Sequence, residues 1–238
     1  ALKGSRDQII LATKVGNKWN EDGTKWSWDS SKSYITKQVK ESLSRLQTDY
    51  IDLYQLHGGT MEDDLEEAID AFELLKKDGL IREYGISSIR PNVIKKFLQN
   101  SQAATVMMQY SMLDRRPEEW FESISSNNAS VVTRGSLAKG LLTEESIVRA
   151  SASNGYGSYS KAELMEVLLH LKSEENDLHS LATTFVLNHS EVSSILAGAS
   201  SVHQLSKTIQ AYEQPVTDER LLQIPPILKK DFYTDHRE

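Results

Sequence analysis

Hydrophobic positions along the chain follow two alternating patterns. Short apolar runs are separated by longer stretches in which apolar residues recur every three or four positions. The runs read as buried strands at 8–13 (QIILAT), 50–56 (YIDLYQL), 82–88 (REYGISS), 105–111 (TVMMQYS), 130–135 (SVVTRG) and 193–199 (SSILAGA). A helix is expected from about Lys32 to Leu46, with Ile35, Val39, Leu43 and Leu46 on one face and Ser30 or Ser31 as N-cap. A second runs from about Glu62 to Lys77, where Leu65, Ile69, Phe72 and Leu75 keep helical spacing and Gly79 suits the C-cap. Pro91 fits the first turn of a third. Further helices are expected at 116–126, 161–174, 178–189 and 202–213. A Trp-bearing loop (16–31), a long polar loop to about Ser160, and a tail from Pro215 complete the chain.

The strand runs are continuously apolar, the signature of a parallel sheet covered on both faces. Strand–helix alternation with short links points to α/β architecture. No composition shift marks a second domain, so residues 1–238 read as one. Six strands are visible, whereas a (βα)8 barrel needs eight. No G-x-G-x-x-G follows the first strand, so the fingerprint of a doubly wound dinucleotide-binding sheet is absent. The pattern alone leaves both architectures open.

Composition removes several function classes. The formal net charge is −7 and no dense Lys/Arg block occurs, which argues against a nucleic-acid partner. There are no cysteines, hence no disulfides or thiolate zinc sites, and no other metal-ligand spacing is present. No apolar run approaches the roughly 18 residues that span a membrane. A cytoplasmic location fits this composition, with no membrane partner expected.

In both candidate architectures chemistry collects beyond the C-terminal ends of the strands. Those ends carry Lys14, His57 followed by Gly58 and Gly59, Ser87 and Ser88, Gln109 and Tyr110, Arg134 to Ser136, and Gly198 to Ser201. Each alone reads equally well as a solvated side chain or a turn. Their joint placement is what points to a site. The five remaining histidines, 170, 179, 189, 203 and 236, read as surface residues.

The ordered set IILATKVG, LSRLQTDYIDLYQLHGG, GLIREYGISSIRP, MMQYSMLDRR, RGSLAKGLLT and ILAGASSVHQL resembles the strand-end motifs of the aldo-keto reductase family. The resemblance covers essentially the whole chain and is nearest to the bacterial branch that includes general stress proteins. It implies a (βα)8 barrel, and with it a reductase of aldehydes and ketones that uses NADPH. It places Lys14 and His57 at the catalytic lysine and histidine. In the family the lysine's cation tunes a tyrosine proton donor, and the histidine orients the carbonyl. For the cofactor it implies Ser87, Ser88, Gln109 and Arg134 near the nicotinamide. Gly135, Ser136, Leu137, Lys139 and Gly140 match the pyrophosphate loop. Gly198, Ser200, Ser201, Gln204 and Thr208 match the segment around the adenosine 2′-phosphate. Ser88 stands where an asparagine is usual, Arg134 where an aromatic is, Ser200 where Arg or Lys is, and Thr208 where Asn is. Among Trp19, Trp26 and Trp28, a Trp-lined wall suits an apolar carbonyl substrate, and Trp19 is the candidate.

The family tyrosine and its aspartate precede the third barrel strand, and residues before Lys14 are too few to hold them. The first two βα units are therefore expected to be missing from the chain, about 60 residues at roughly 30 per unit. A homo-oligomer is compatible with all of this. Two other readings stand beside the reductase: a cofactor-holding sensing module similar to channel auxiliary subunits, and an unrelated phosphate-binding barrel.

Overall fold

The computed structural model describes residues 4–20 and 22–237. In chain order it contains β1 (Ala12–Val15), β2 (Asn17–Trp19), β3 (Trp26–Trp28), α1 (Lys32–Leu46), β4 (Ile51–His57), α2 (Leu65–Lys77), β5 (Ile81–Ser87), α3 (Pro91–Gln99), β6 (Thr105–Gln109), α4 (Glu118–Ser126) and β7 (Ser130–Arg134). There follow α5 (Ser146–Ala152), β8 (Gly155–Tyr156), β9 (Tyr159–Ser160), α6 (Lys161–Glu174), α7 (Leu178–Leu187), β10 (Val192–Leu196), α8 (Val202–Glu213) and α9 (Asp218–Gln223). The six longer-range strands β1, β4, β5, β6, β7 and β10 and the helices α1, α2, α3, α4, α6, α7 and α8 follow the α/β order expected from the hydrophobic pattern, whereas β2, β3, α5, β8 and β9 fall where loops were expected. The described residues divide into two compact units, one drawn from residues 4–20, 22–107, 123–130 and 234–237, the other from 108–122 and 131–233.

In the first unit β1, β4, β5 and the start of β6 form a parallel sheet in that order. Alternation along the strands sends successive side chains to opposite faces. Tyr54, Leu56, Tyr84, Ile86 and Val106 are fully buried, and Tyr54 and Tyr84 meet Phe72 of α2, with Phe97 of α3 edge-on to Tyr84. These rings form the core between sheet and helices. The helices start where side chains cap them: Ser31 accepts from Tyr34 N, and Asp64 from Glu67 N. The Asp64 cap is why α2 begins at Leu65 rather than Glu62.

Two expectations need correction here. The apolar run predicts a first strand over 8–13, but Ile10 is 81% exposed and pairing begins only at Ala12. The Asp52 carboxylate captures the Leu11 N–H (2.9 Å), so that group is tied to a side chain. The Trp-bearing segment is not a loop: β2 and β3 pair antiparallel with Asn17 opposite Trp28 and Trp19 opposite Trp26.

In the second unit β7 and β10 pair in parallel, with Val192 opposite Val131 and Leu196 opposite Arg134. The expected long polar loop holds a short helix, α5, and the β8–β9 ribbon. Ser160 and Glu163 form a capping box at the start of α6. Tyr110, Phe121, Phe185 and His189 pack together, and Tyr110 Oη lies 2.7 Å from His189 Nε2. His189 is thus half-buried rather than a surface residue, and burial pushes its pKa below the usual value.

Candidate active site

The C-terminal ends of the first unit's strands bring together one group of the expected residues. Lys14 lies opposite Gln55, and His57 opposite Ser87, which is itself opposite Met107. Register partners in a parallel pair share a face, so Lys14, Gln55, His57, Gly85, Ser87 and Thr105 line the side away from the helices. Gln55 is fully buried and donates to Thr105 Oγ1 at 3.1 Å. Gly85 is required there, because a Cβ would lie 2.4 Å from the Thr105 carbonyl oxygen. His57 is exposed at the strand end, and Lys14 is half-buried. Ser87 and Ser88 are buried, and Ser88 Oγ accepts from Arg90 N (3.2 Å).

The β2–β3 hairpin sits over this row. The Trp28 indole lies against Gly16 and Gly58, where added Cβ atoms would come within 2.1 and 3.3 Å of its ring. Asp63 holds the indole by accepting from Nε1 at 2.8 Å, and also accepts from Ser30 Oγ at 3.1 Å. The tryptophan that reaches the strand ends is therefore Trp28. Trp19, the sequence candidate, pairs with Trp26 farther out, and both remain about three-fifths exposed (62% and 61%). Gly58 adjoins an indole rather than open space. Asn17, which sequence reasoning passed over, reaches His57: Asn17 Nδ2 lies 3.4 Å from His57 Nδ1. Its position directly after the Lys14–Gly16 motif was the available signal.

The second unit holds a pocket of about 870 Å³, within the range of small-molecule sites. Its wall includes Arg134, Gly135, Ser136, Leu137, Lys139 and Gly140 from the segment after β7. It also includes Gly198, Ser201, Gln204 and Thr208 around the start of α8. Gln109 and Ser200 lie beside the wall rather than in it. Gln109 Oε1 accepts from Arg134 Nη1 (2.9 Å), and its Nε2 donates to Asp114 (3.0 Å). Gln204 Oε1 accepts from the Ser200 N–H (2.8 Å), and Ser201 caps α8 through Gln204 N. Ser136 Oγ pairs with Thr133 Oγ1 at 3.1 Å. Gly135 and Gly140 have φ of +71° and +84°, conformations that favour glycine, and a Cβ at 140 would lie 2.8 Å from Arg149 Nε.

Several pocket residues escaped the sequence reading. Arg149 on α5 pairs with Glu145. Lys207 and His203 on α8 each face Glu144, at 3.9 and 3.8 Å. His179, expected at the surface, is half-buried and meets Thr208 Oγ1 at 3.2 Å. Burial holds its pKa below the usual value, favouring the neutral ring. Lys207 follows Gln204 by one helical turn, a spacing that could have flagged it. The cationic groups around a glycine-bearing turn and a helix start suit a phosphorylated ligand. Among the described residues no cluster of side chains could hold a metal ion, and no helix is long and apolar enough to cross a membrane.

The family model described as Aldo/keto reductase family matches residues 1–228. The "Uncharacterized oxidoreductase YqkF" of Bacillus subtilis (strain 168) is 48% identical over 243 residues, spanning 100% of this chain and 79% of that protein. The holo form of aldo-keto reductase AKR11C1 from Bacillus halodurans has a TM-score of 0.92 at 50% identity, covering 100% of this chain and 78% of its own. The apo form of the same protein gives 0.88 at 48% identity, with the same coverage.

Proposed function

The chain belongs to the aldo/keto reductase family, and on that premise we propose that it is an NADPH-dependent reductase of aldehydes and ketones. Its fold class is that family's α/β, (βα)8 type. Carbonyl reduction by an oxidoreductase is the general activity that membership supports. The observation that carries the finer reading is the row of Lys14, Gln55, His57 and Ser87 on one face at the ends of three parallel strands.

NADPH, when bound, supplies a hydride. The glycine-bearing turn at 135–140, the start of α8 from Gly198 through Ser200, Ser201 and Gln204, and Thr208 suit its phosphates. The cations Lys139, Arg149 and Lys207 favour the extra 2′-phosphate over the hydroxyl of NADH. Ser87 and Ser88 of the first unit, and Gln109 and Arg134 of the second, keep the nicotinamide assignment that the family resemblance implies, and Arg134 and Gln109 bond each other. The protein's part of the chemistry follows from two groups. His57 donates a hydrogen bond to the carbonyl oxygen and orients it. Lys14 places a positive charge where negative charge develops on that oxygen, and its cation favours ionisation of the family's tyrosine proton donor, a role assigned to no residue of this chain. The hairpin tryptophans, Trp19 included, form the apolar wall for the rest of the substrate. In this reading the protein acts in the cytoplasm on small carbonyl compounds, as one barrel domain, with a homo-oligomer as an admissible assembly.

The test is NADPH consumption across a panel of aldehydes and ketones. Lys14→Met is expected to lower kcat by about hundredfold or more while coenzyme binding is retained. Unchanged turnover in that variant would overturn the assignment. Tight NADPH binding without turnover of any carbonyl would favour the sensing module instead.

A further inference from the structure

We infer that Asn17 is a positioning residue that fixes the tautomer of His57. The catalytic consequence rests on the reductase reading above; the geometry does not. Asn17 begins β2 directly after Gly16, whose φ of +132° turns the chain out of β1 into the hairpin. Its backbone is held from two sides. The Asn17 carbonyl accepts from Tyr34 Oη at 3.1 Å. Its cross-strand partner is Trp28, clamped by Asp63 and seated on Gly16 and Gly58. Asparagine is depleted in strands, and its side chain here is exposed, so neither strand propensity nor core packing accounts for its presence.

The side chain instead meets the histidine. An amide nitrogen only donates, so a hydrogen bond across the 3.4 Å from Asn17 Nδ2 to His57 Nδ1 requires a neutral ring with Nδ1 as acceptor and the proton on Nε2. Which nitrogen of a neutral imidazole carries the proton is set by the hydrogen bond the other makes. The tautomer chosen by Asn17 presents an N–H at Nε2, the donor that a carbonyl oxygen needs. The other tautomer would present a lone pair, which repels that oxygen. Asn17 thus acts through His57 rather than on the substrate.

The experiment uses protein labelled with 15N-histidine. Two-bond proton–nitrogen spectra at a pH where the ring is neutral report the tautomer, and the His57→Gln variant identifies the resonance. Wild type is expected to carry the proton on Nε2. In Asn17→Asp, a near-isosteric change, the carboxylate only accepts, so the proton moves to Nδ1. In Asn17→Ala the preference weakens. Loss of one hydrogen bond of about 1 kcal/mol lowers kcat about fivefold in Asn17→Ala, and Asn17→Asp falls further, with coenzyme affinity unchanged in both. An Nδ1–H ring in wild type, or spectra identical across all three proteins, would overturn the inference. The expected spectra with no carbonyl turnover in wild type would leave the tautomer assignment standing and remove the reductase reading. Normal turnover in all three with unchanged spectra would remove the inference alone.

Discussion

The individual residues that matter most here are those whose neighbours lie far away in sequence. Lys14 and His57 were legible because each ends an apolar strand and carries unusual chemistry for that place. The roles of the three tryptophans were not legible. They lie within ten residues of one another, and only the pairing of β2 with β3 puts Trp28 against Gly16 and Gly58 and leaves Trp19 and Trp26 outward. The exposed Trp19–Trp26 pair leads to a prediction about substrate length. Trp19→Ala should lower kcat/KM for long-chain or aromatic aldehydes several-fold while sparing the shortest ones, because each methylene removed from water contributes about 0.8 kcal/mol. Steady-state kinetics over a homologous series of aldehydes reads this; a uniform loss at every length would exclude Trp19 as an apolar wall.

At the scale of elements, capping residues and helical spacing made the helix positions readable, whereas hairpin and strand starts were set by contacts outside the element. Gly16 couples two such elements, β1 and the β2–β3 hairpin. Gly16→Ala would place a methyl group 2.1 Å from the Trp28 ring in a backbone conformation of φ +132°. A destabilisation of about 1–3 kcal/mol is expected, seen as a lower melting temperature and altered tryptophan fluorescence as the indole is displaced. The end of α7 makes a pH-dependent prediction. Burial holds the pKa of His189 below its ordinary value of 6.5, so as pH falls the unfolded chain takes up a proton first. This contribution leaves stability unaffected above about pH 6.5 and lowers it as pH drops below that value. His179, shifted in the same direction, adds to the slope. Melting curves between pH 8 and pH 5 should show a shallower decline in His189→Asn than in wild type; parallel curves would mean that the ring is not held neutral.

For the molecule as a whole, the proposed coenzyme reading predicts stabilisation by mass action. NADPH at about 100 times its Kd should contribute roughly 2.7 kcal/mol and raise the melting temperature accordingly. NADH at equal concentration should give a smaller shift if Lys139, Arg149 and Lys207 meet a 2′-phosphate. Equal shifts would assign the pocket to the shared parts of the two dinucleotides, and no shift with either would remove it as a coenzyme site.

The sequence by itself determined the α/β class, the order of the six parallel strands and of the longer helices, and the polar and glycine groups at the strand ends. Those features arise from local periodicity, capping and backbone preference, which act over a few residues. The tertiary structure decided which residues meet. Strand register put Lys14, Gln55 and His57 on one face. A hairpin brought Asn17 to His57. The folding of α5, α7 and α8 around one pocket gathered Arg149, His179 and Lys207. Such proximities depend on pairings between segments distant in the chain, so a local pattern can mark a residue such as Asn17 or Lys207 without specifying which partner it meets.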